Sequence, residues 1–537
     1  MSRSVPARTS RTRRLAALVA AAAVLSACAG GPELSFEGPE DDEVVNAEQL
    51  ESAEIAVRAD LAEGDESPFT EATVERDGED VTAEAAKEED ELRYPLADLD
   101  DGEHEITVDV PGEGSRTFTF VVDATAPELE VSEPEDGVVF GDDDVMVVGR
   151  TDADAELTIA GDDVEVADDG TFERSFDAVP DDAVLLVATD AAGNVTEQEL
   201  TLTQLPSRVE VDEVRAVHVT PHAWATESFR ERVLGMFDDG LINAIQLDLK
   251  DEGGRIGYRT EVPLARESGA AEDVYDLDEA IEELHGRGIH VVGRIVAFRD
   301  PMLGAYAMGA GHDDWLIQTP GGDPYTATYG CCFTSFANPD VTDYLLDIAE
   351  EAAAAGVDAI LWDYIRRPDG SPDNMVVPGL SDDADGATLE EAVVDFAKQA
   401  DERLAPYRLE HGASLYGIAA DRPTQIAQDV PALAEHLDYV SPMIYPSHWG
   451  PGEYGVEDPN RQPYDIITAT LEIWKEQVEG KRARIVPWLE DTTYRAWDRP
   501  FQVREQIRAT RDQGIDEWLM WDPVVRYTPE AYEARTE

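Results

Sequence analysis

The sequence predicts a multidomain chain: two all-β Ig-like sandwiches followed by an α/β barrel of the (β/α)8, or TIM, type. Three observations predict it. The 537 residues exceed what one hydrophobic core organises. From about Val44 to Thr203, short runs alternate apolar and polar residues between turn residues. After Pro206 the pattern changes to strand, loop, helix, and repeats.

In the first region the alternation is clear in Glu105-Ile106-Thr107-Val108-Asp109-Val110 and in Asp144-Val145-Met146-Val147-Val148-Gly149. Period two broken by Asp-Gly pairs means antiparallel strands joined by hairpins. A weak internal repeat divides the region into residues 44–125 and 126–205, with Ala126-Pro127 opening the second unit. The turn Asp190-Ala191-Ala192-Gly193-Asn194 resembles those of bacterial extracellular Ig-like modules. Neither unit offers a clear aromatic platform, so both read as spacers or packing partners.

Residues 209–535 supply eight apolar strand patterns: Val214–Val219, Ala244–Leu249, Ile289–Ala297, Ala359–Tyr364, Ser414–Ala419, Tyr439–Tyr445, Ala483–Leu489 and Glu517–Trp521. Helical patterns separate them. The helix-to-strand turns are short and marked by glycine, as at Gly286-Arg287-Gly288. The strand-to-helix connections are long: Phe298–Val341, Arg366–Ala387 and Pro446–Pro463. A barrel collects such loops at the C-terminal rim, where chemistry resides.

Composition narrows the partners. Forty-one basic residues against 117 acidic ones give a net charge of −76, which argues against nucleic acid and against adsorption to anionic lipid. The N-terminus contradicts that balance. Arg3, Arg8, Arg11, Arg13 and Arg14 precede an apolar run from Leu15 to Val24, then Leu25-Ser26-Ala27-Cys28. A basic start, a short apolar core and small residues make a secretory signal, too short to span a membrane comfortably. The ending looks like a bacterial lipobox, so residues 1–28 are expected to be a lipoprotein leader with lipid attached at Cys28. Residues 29–43 are then expected to form an acidic tether, with the mature chain a monomer held on the outer face of the cell membrane. Cys331 and Cys332 remain; with no Cys/His set nearby they read as packed thiols or a vicinal disulfide, not as a metal site.

The strand ends carry the chemistry. Strand two ends Asp248-Leu249-Lys250-Asp251, and simple alternation points Asp248 and Lys250 into the barrel mouth together. Strand three delivers Arg294, an inward arginine suited to clamping Asp248 or Asp363. Strand four ends Trp362-Asp363-Tyr364-Ile365-Arg366, an apolar strand presenting an aspartate followed by an aromatic and an arginine. Glycosidases need one carboxylate to meet oxocarbenium charge and a second carboxyl group to protonate the leaving oxygen. Strand six ends in Tyr445-Pro446-Ser447-His448-Trp449, strand seven in Trp488-Leu489-Glu490-Asp491, and strand eight in Trp521-Asp522. Tryptophan and aspartate together at a rim suit pyranose faces and hydroxyls.

Together these blocks resemble a bacterial glycoside hydrolase barrel family defined as a domain of unknown function, distantly related to α-amylase-like and chitinase-like barrels. The resemblance covers nearly all of residues 213–530. It rests on Asp248-Leu249-Lys250-Asp251, Arg294 through Pro301, Asp363-Tyr364-Ile365-Arg366, Gln428-Asp429, Ser441 through Trp449 and Pro487-Trp488-Leu489. The chain departs from it at Arg367, where relatives carry Phe, and at Glu490 and Asp522, where they often carry amides.

The expectation is therefore an anchored glycoside hydrolase acting on a poly- or oligosaccharide, with no metal or organic cofactor. Asp363 is expected as nucleophile or charge stabiliser, with Asp248, then Asp251, then Glu490 as the general acid. Lys250, Arg294, Tyr364, Arg366, Tyr445, His448, Trp449, Trp488 and Trp521 are expected to contact substrate. The rival expectations are a non-catalytic carbohydrate-binding or envelope scaffold and a metal-dependent deacetylase.

Overall fold

The computed structural model describes the backbone of residues 23–25 and residues 32–62, 65–141, 145–180, 182–328, 330–380 and 388–534. Cys28 and most of the expected leader lie outside the described residues. The chain divides into two compact units, residues 1–137 with 144–203 and residues 138–143 with 204–537.

The first unit is built of antiparallel sheets. Residues 33–122, with the strand Ala23–Leu25, fold as two five-stranded sheets, one including Glu33–Glu37, Glu54–Asp60 and Glu91–Pro95, the other Gly102–Val110 and Gly114–Val122. Their inward side chains, among them Leu34, Phe36, Ile55, Val57, Ile106, Val108, Phe118 and Phe120, share one core. This corrects the expected tether over 29–43. The alternation Glu33-Leu34-Ser35-Phe36-Glu37 buries Leu34 and Phe36 completely, so these residues belong to the sheet despite their acidic neighbours. Residues 129–200 form a three-stranded and a four-stranded sheet, whose Val145, Val147, Leu157, Ile159, Phe172 and Leu186 are buried.

The turn 190–194 has a structural task. Asp190 Oδ1 accepts from Gly193 N and Asn194 N, which sets the loop. Asn194 then accepts from Ala47 N at 2.8 Å and donates to Asp123 O at 2.8 Å, while Asn46 donates to Ala192 O at 3.0 Å. One buried amide thus ties the second set of sheets to both ends of the first.

The second unit is a closed parallel barrel. Its strands are β1 (Arg215–Val219), β2 (Ala244–Lys250), β3 (His290–Val296), β4 (Ala359–Asp363), β5 (Glu410–Tyr416), β6 (Tyr439–Met443), β7 (Trp488–Glu490) and β8 (Trp518–Trp521), and β1 pairs with both β2 and β8. Strand seven is broken: Arg484–Ile485 pairs separately with β6, because Pro487 lacks the N–H a continuous ladder needs. β5 lies earlier than expected and ends before Gly417, where a Cβ would stand 2.6 Å from Met443 O.

The major helices, α1 (Glu227–Asp238), α2 (Leu277–His285), α3 (Pro339–Ala354), α4 (Leu389–Leu404), α5 (Pro463–Val478) and α6 (Arg499–Asp512), return the chain between strands. Side-chain caps on Asp276, Asn338, Thr388 and Asp498 start four of them. The barrel interior is floored by Val214, Ala216, Ala244, Val292, Ala359, Leu361 and Leu519. Polar and charged side chains stand above that floor, toward the strand C-termini.

Because Asn194 is 95% shielded and fully bonded, Asn194→Ala should strand Ala47 N and Asp123 O without partners. We expect the first unit to lose about 1–3 kcal/mol and to become more sensitive to limited proteolysis near residues 123–127. Unchanged cleavage kinetics there would contradict the role assigned to this amide.

Candidate active site

Parallel register explains the centre of the site. Arg294 on β3 pairs with Asp248 on β2 and with Leu361 on β4, so Asp363 lies one pleat above it toward the rim. From that position the guanidinium meets three carboxylates. Its Nη1 donates to Asp248 Oδ1 at 2.8 Å, Nε and Nη2 donate to Asp363 Oδ2 at 3.0 and 2.6 Å, and Nη2 also donates to Glu252 Oε1 at 2.5 Å. The oxygens of Glu252 and Asp363 share one nitrogen, so they stand no more than about 5 Å apart.

The surroundings tune each group differently. Burial pushes Asp363 upward, and the Arg294 contacts offset only part of that. Burial acts the same way on Asp248, but the charges of His218 and Arg294 outweigh it and hold the carboxyl below its ordinary range. For Glu252, too, burial pushes upward and Arg294 prevails, leaving its carboxyl below the usual range. Arg294 itself is pushed well above its ordinary value, by Glu252 and Asp248 first, against the cost of burial.

The chain turns sharply after Asp363. Tyr364 takes φ 55°, a left-handed conformation that is uncommon for a tyrosine, and its N–H donates to Asp363 Oδ1 at 2.7 Å. Asp363 is thereby held by three N–H bonds. Beyond it, the Arg366 guanidinium lies 4.6 Å from the Tyr416 ring centre and 5.0 Å from that of Tyr364, an aromatic sandwich for a buried cation.

These residues line one cleft of about 440 Å³, which brings together Glu252, Arg294, Asp363, Tyr364 and Arg366 with Tyr445, His448, Trp449, Trp488 and Trp521. The aromatic wall is ordered by packing. Tyr445 stacks on Trp521 at 5.2 Å and meets Trp488 edge-on at 6.3 Å, with Arg294 5.4 Å above Trp488. Of the three tryptophans expected to stack on sugar, Trp521 is partly exposed, whereas Trp449 and Trp488 are buried in the wall.

Four expected site residues stand outside the cleft: Asp248, Lys250, Asp251 and Glu490, the last of which lies under its wall. Asp248 is 1% exposed beneath Arg294 and takes His218 Nε2 at 2.8 Å on its other oxygen, so it braces the floor and has no route to a leaving group. Lys250 does not share its face. The β2–β3 register slips between Asp248 and Lys250, and this bulge turns Lys250 away to pair with Asp300 at 2.9 Å and donate to Val296 O. Asp251 accepts from Gly253 N and Arg255 N and so caps a turn. Sequence reasoning missed Glu252, next along the same run, and also Tyr416, Arg422, Met443 and Glu453 of the cleft. The strand ends at Lys250 and Glu252 stands in the turn that follows, so strand periodicity does not assign it. Cys331 and Cys332 are joined in a vicinal disulfide in the loop after β3. Among the described residues no three His, Cys, Asp or Glu side chains gather as a ligand set.

Residues 216–527, more than half of the chain, match a protein family described as "Putative glycosyl hydrolase domain". The chain belongs to this family. Residues 127–204 match a second family, described as glucodextranase, domain B. No curated protein matches the chain. Among solved structures it is similar to a hypothetical protein from Ruminiclostridium thermocellum ATCC 27405, at 27% identity over 37% of this chain and 96% of that one, with TM-score 0.33. It is also similar to the PgaB (BpsB) glycoside hydrolase domain from Bordetella bronchiseptica, at 15% identity, 58% and 95% coverage and TM-score 0.40. A third is the endo-1,4-beta-D-mannanase from Thermotoga petrophila RKU-1, at 14% identity, 59% and 97% coverage and TM-score 0.38.

One further carboxyl group of this glycosyl hydrolase domain is unusual. Glu490 ends β7 under the cleft wall, and burial pushes it up to about 7, against the hydrogen bonds it accepts from Ser447. Its folded-state value is raised, so its contribution to stability is complete below about 4.5 and is lost as pH climbs through about 7. Relative to Glu490→Gln, the wild-type barrel should therefore lose about 3 kcal/mol of unfolding free energy across that window. Denaturant titrations of both proteins at the two ends of the window measure it, and parallel pH profiles would contradict it.

Proposed function

We propose that this glycosyl hydrolase domain cleaves a poly- or oligosaccharide through Asp363 and Glu252, with net retention at the anomeric carbon. The observation that carries this reading is the single Arg294 nitrogen shared by both carboxylates in a cleft walled by aromatic rings. A separation of no more than about 5 Å suits the direct attack of one carboxylate on the sugar, with no water between; inverting pairs stand roughly 6.5–9.5 Å apart.

The two groups differ in exposure and environment. Asp363 is buried on a strand and held by three N–H donors, which keep an anion in place to attack the anomeric carbon. Glu252 stands on the loop after β2 with a side chain 40% exposed. Burial acts on it against Arg294, so a sugar that parts the two leaves burial unopposed and favours the protonated acid. In the first step the bond from Asp363 to carbon forms as the glycosidic bond breaks, and the leaving oxygen takes the Glu252 proton. In the second, water gives its proton to Glu252, attacks the same carbon, and releases Asp363. Arg294 keeps its hold on Asp363, and Tyr445 with Trp521 offers a partly exposed face for a sugar ring.

A reducing-end screen against neutral, amino and acidic polysaccharides tests this. Asp363→Asn and Glu252→Gln should each lower kcat by roughly 10³-fold or more, and NMR of the first-formed product should show the starting anomer. Product of the opposite anomer, or full activity in either variant, would overturn the assignment. A wild-type protein that binds glycans without cleaving any would favour the scaffold reading.

We also propose that the chain acts outside the cell membrane, held by lipid on Cys28; the basic start, apolar run and Leu25-Ser26-Ala27-Cys28 support this. Cys28→Ser should move the protein from the membrane fraction to the medium or leave its leader uncut. A variant that still fractionates with membranes after processing would sink this part.

A further inference from the structure

The cleft wall contains a second chain of exchangeable protons that the reacting pair does not use. His448 is exposed in the cleft, and its Nδ1 lies 3.0 Å from Ser447 Oγ. Ser447 Oγ lies 2.6 Å from Glu490 Oε2, and Ser447 N donates to Glu490 Oε1 at 2.7 Å. Gln506 pins the backbone of Glu490 at both its N–H and its carbonyl, and Arg495 donates to Ser447 O. The three side chains therefore run in fixed order from beneath the wall to its surface.

A hydroxyl has one proton, and that fact links the ends of the chain. When Glu490 is a carboxylate it can only accept, so Ser447 donates to it. His448 Nδ1 must then donate to Oγ, and Nε2 of the neutral ring carries a lone pair. When Glu490 is protonated, the N–H of Ser447 already occupies Oε1, which leaves the proton on Oε2 facing Oγ. Ser447 then donates to Nδ1, and Nε2 carries the proton.

We propose that Glu490, Ser447 and His448 form a proton relay through which the cleft exchanges one proton with a bound hydroxyl or water at His448 Nε2. In the forward direction the O–H proton moves to Nε2, the Nδ1 proton to Oγ, and the Oγ proton to Oε2. The O–H electron pair stays on the substrate oxygen, the carboxylate charge of Glu490 is transferred to it, and the imidazole ends neutral. The relay's use on sugar rests on the hydrolase reading above, but the relay itself does not.

The surroundings favour this route over an imidazolium. The partial desolvation of the ring in the cleft wall, and then the positive charge of Arg495, hold His448 below its ordinary range. Around Glu490, Arg495 lowers and Asp491 raises its proton affinity, while α6 presents the uncharged Gln506. On the cleft side His448 meets Tyr445 at 5.3 Å, Tyr494 at 5.8 Å and Trp521 at 6.3 Å, none of which carries charge at neutral pH.

Nitrogen NMR of the full chain labelled with ¹⁵N-histidine reads the tautomer directly, the His448 signals being those lost in His448→Gln. From roughly pH 5 to 8, wild type should pass from Nε2–H to Nδ1–H with a midpoint near 7. Glu490→Gln should stay Nε2–H throughout, because its amide donates to Oγ permanently, and Ser447→Ala should lose the transition. An ordinary imidazole-to-imidazolium titration in wild type, or an unchanged transition in folded Glu490→Gln or Ser447→Ala, would overturn the relay. Should both variants fail to fold, the wild-type series alone decides. A protein that cleaves glycans without this transition sinks the relay only; a clear transition in a protein that cleaves nothing sinks the hydrolase reading only.

Discussion

One guanidinium organises the top of the barrel. Arg294 is buried with Asp248, Asp363 and Glu252 around it, one positive charge among three negative ones. Two ionised carboxylates within about 5 Å of each other repel by at least roughly 3 kcal/mol at an effective dielectric of 20, and the cation between them offsets that repulsion. Arginine suits that position better than lysine, because its fork donates along three directions at once and keeps its proton under burial. Asp248 completes the brace. Held by His218 below and Arg294 above, it aims the guanidinium upward and leaves the faces toward Asp363 and Glu252.

Such an arrangement stores little net stability, since burying four charged groups costs about what their attraction returns. Its yield is position. Asp363 sits where β4 ends, at a left-handed tyrosine that turns the chain away immediately after the carboxylate. Strain of that kind persists only where neighbours overdetermine the backbone, and here the Tyr364 N–H bond and the Arg366 stack do so.

Much of the fold was legible in the sequence because its signals are redundant. Eight apolar strands with glycine-marked returns and long forward loops allow few architectures other than a barrel, and an error of a few residues in one strand changes nothing. β5 and the broken β7 were misplaced for local reasons, a close backbone approach at Gly417 and a missing N–H at Pro487. The strand Glu33–Glu37 was hidden by composition. Its acidic neighbours suggested a tether, although the two-residue period of Leu34 and Phe36 was present.

The site was less forgiving, because parity decides it. Asp363 and Arg294 lie on regular stretches, and alternation placed both in the cleft. At the end of β2 a bulge turns Lys250 off the inward face and the strand then stops, so the turn that follows, rather than alternation, places Asp251 and Glu252. Asp248 keeps its inward aim, Lys250 swings out to Asp300, Asp251 closes a turn, and Glu252 takes the place opposite Asp363. Nothing in Asp248-Leu249-Lys250-Asp251-Glu252 marks the bulge, since every residue there is compatible with a plain strand. What reveals it is long-range: Lys250 finds the carbonyls of Val296 and Ala297 and the carboxylate of Asp300, and Arg294 meets Glu252 as well as Asp248 and Asp363. The partners of Lys250 on one side and of Arg294 on the other go with this register, which leaves Glu252, alone of the four polar residues in the run, lining the cleft.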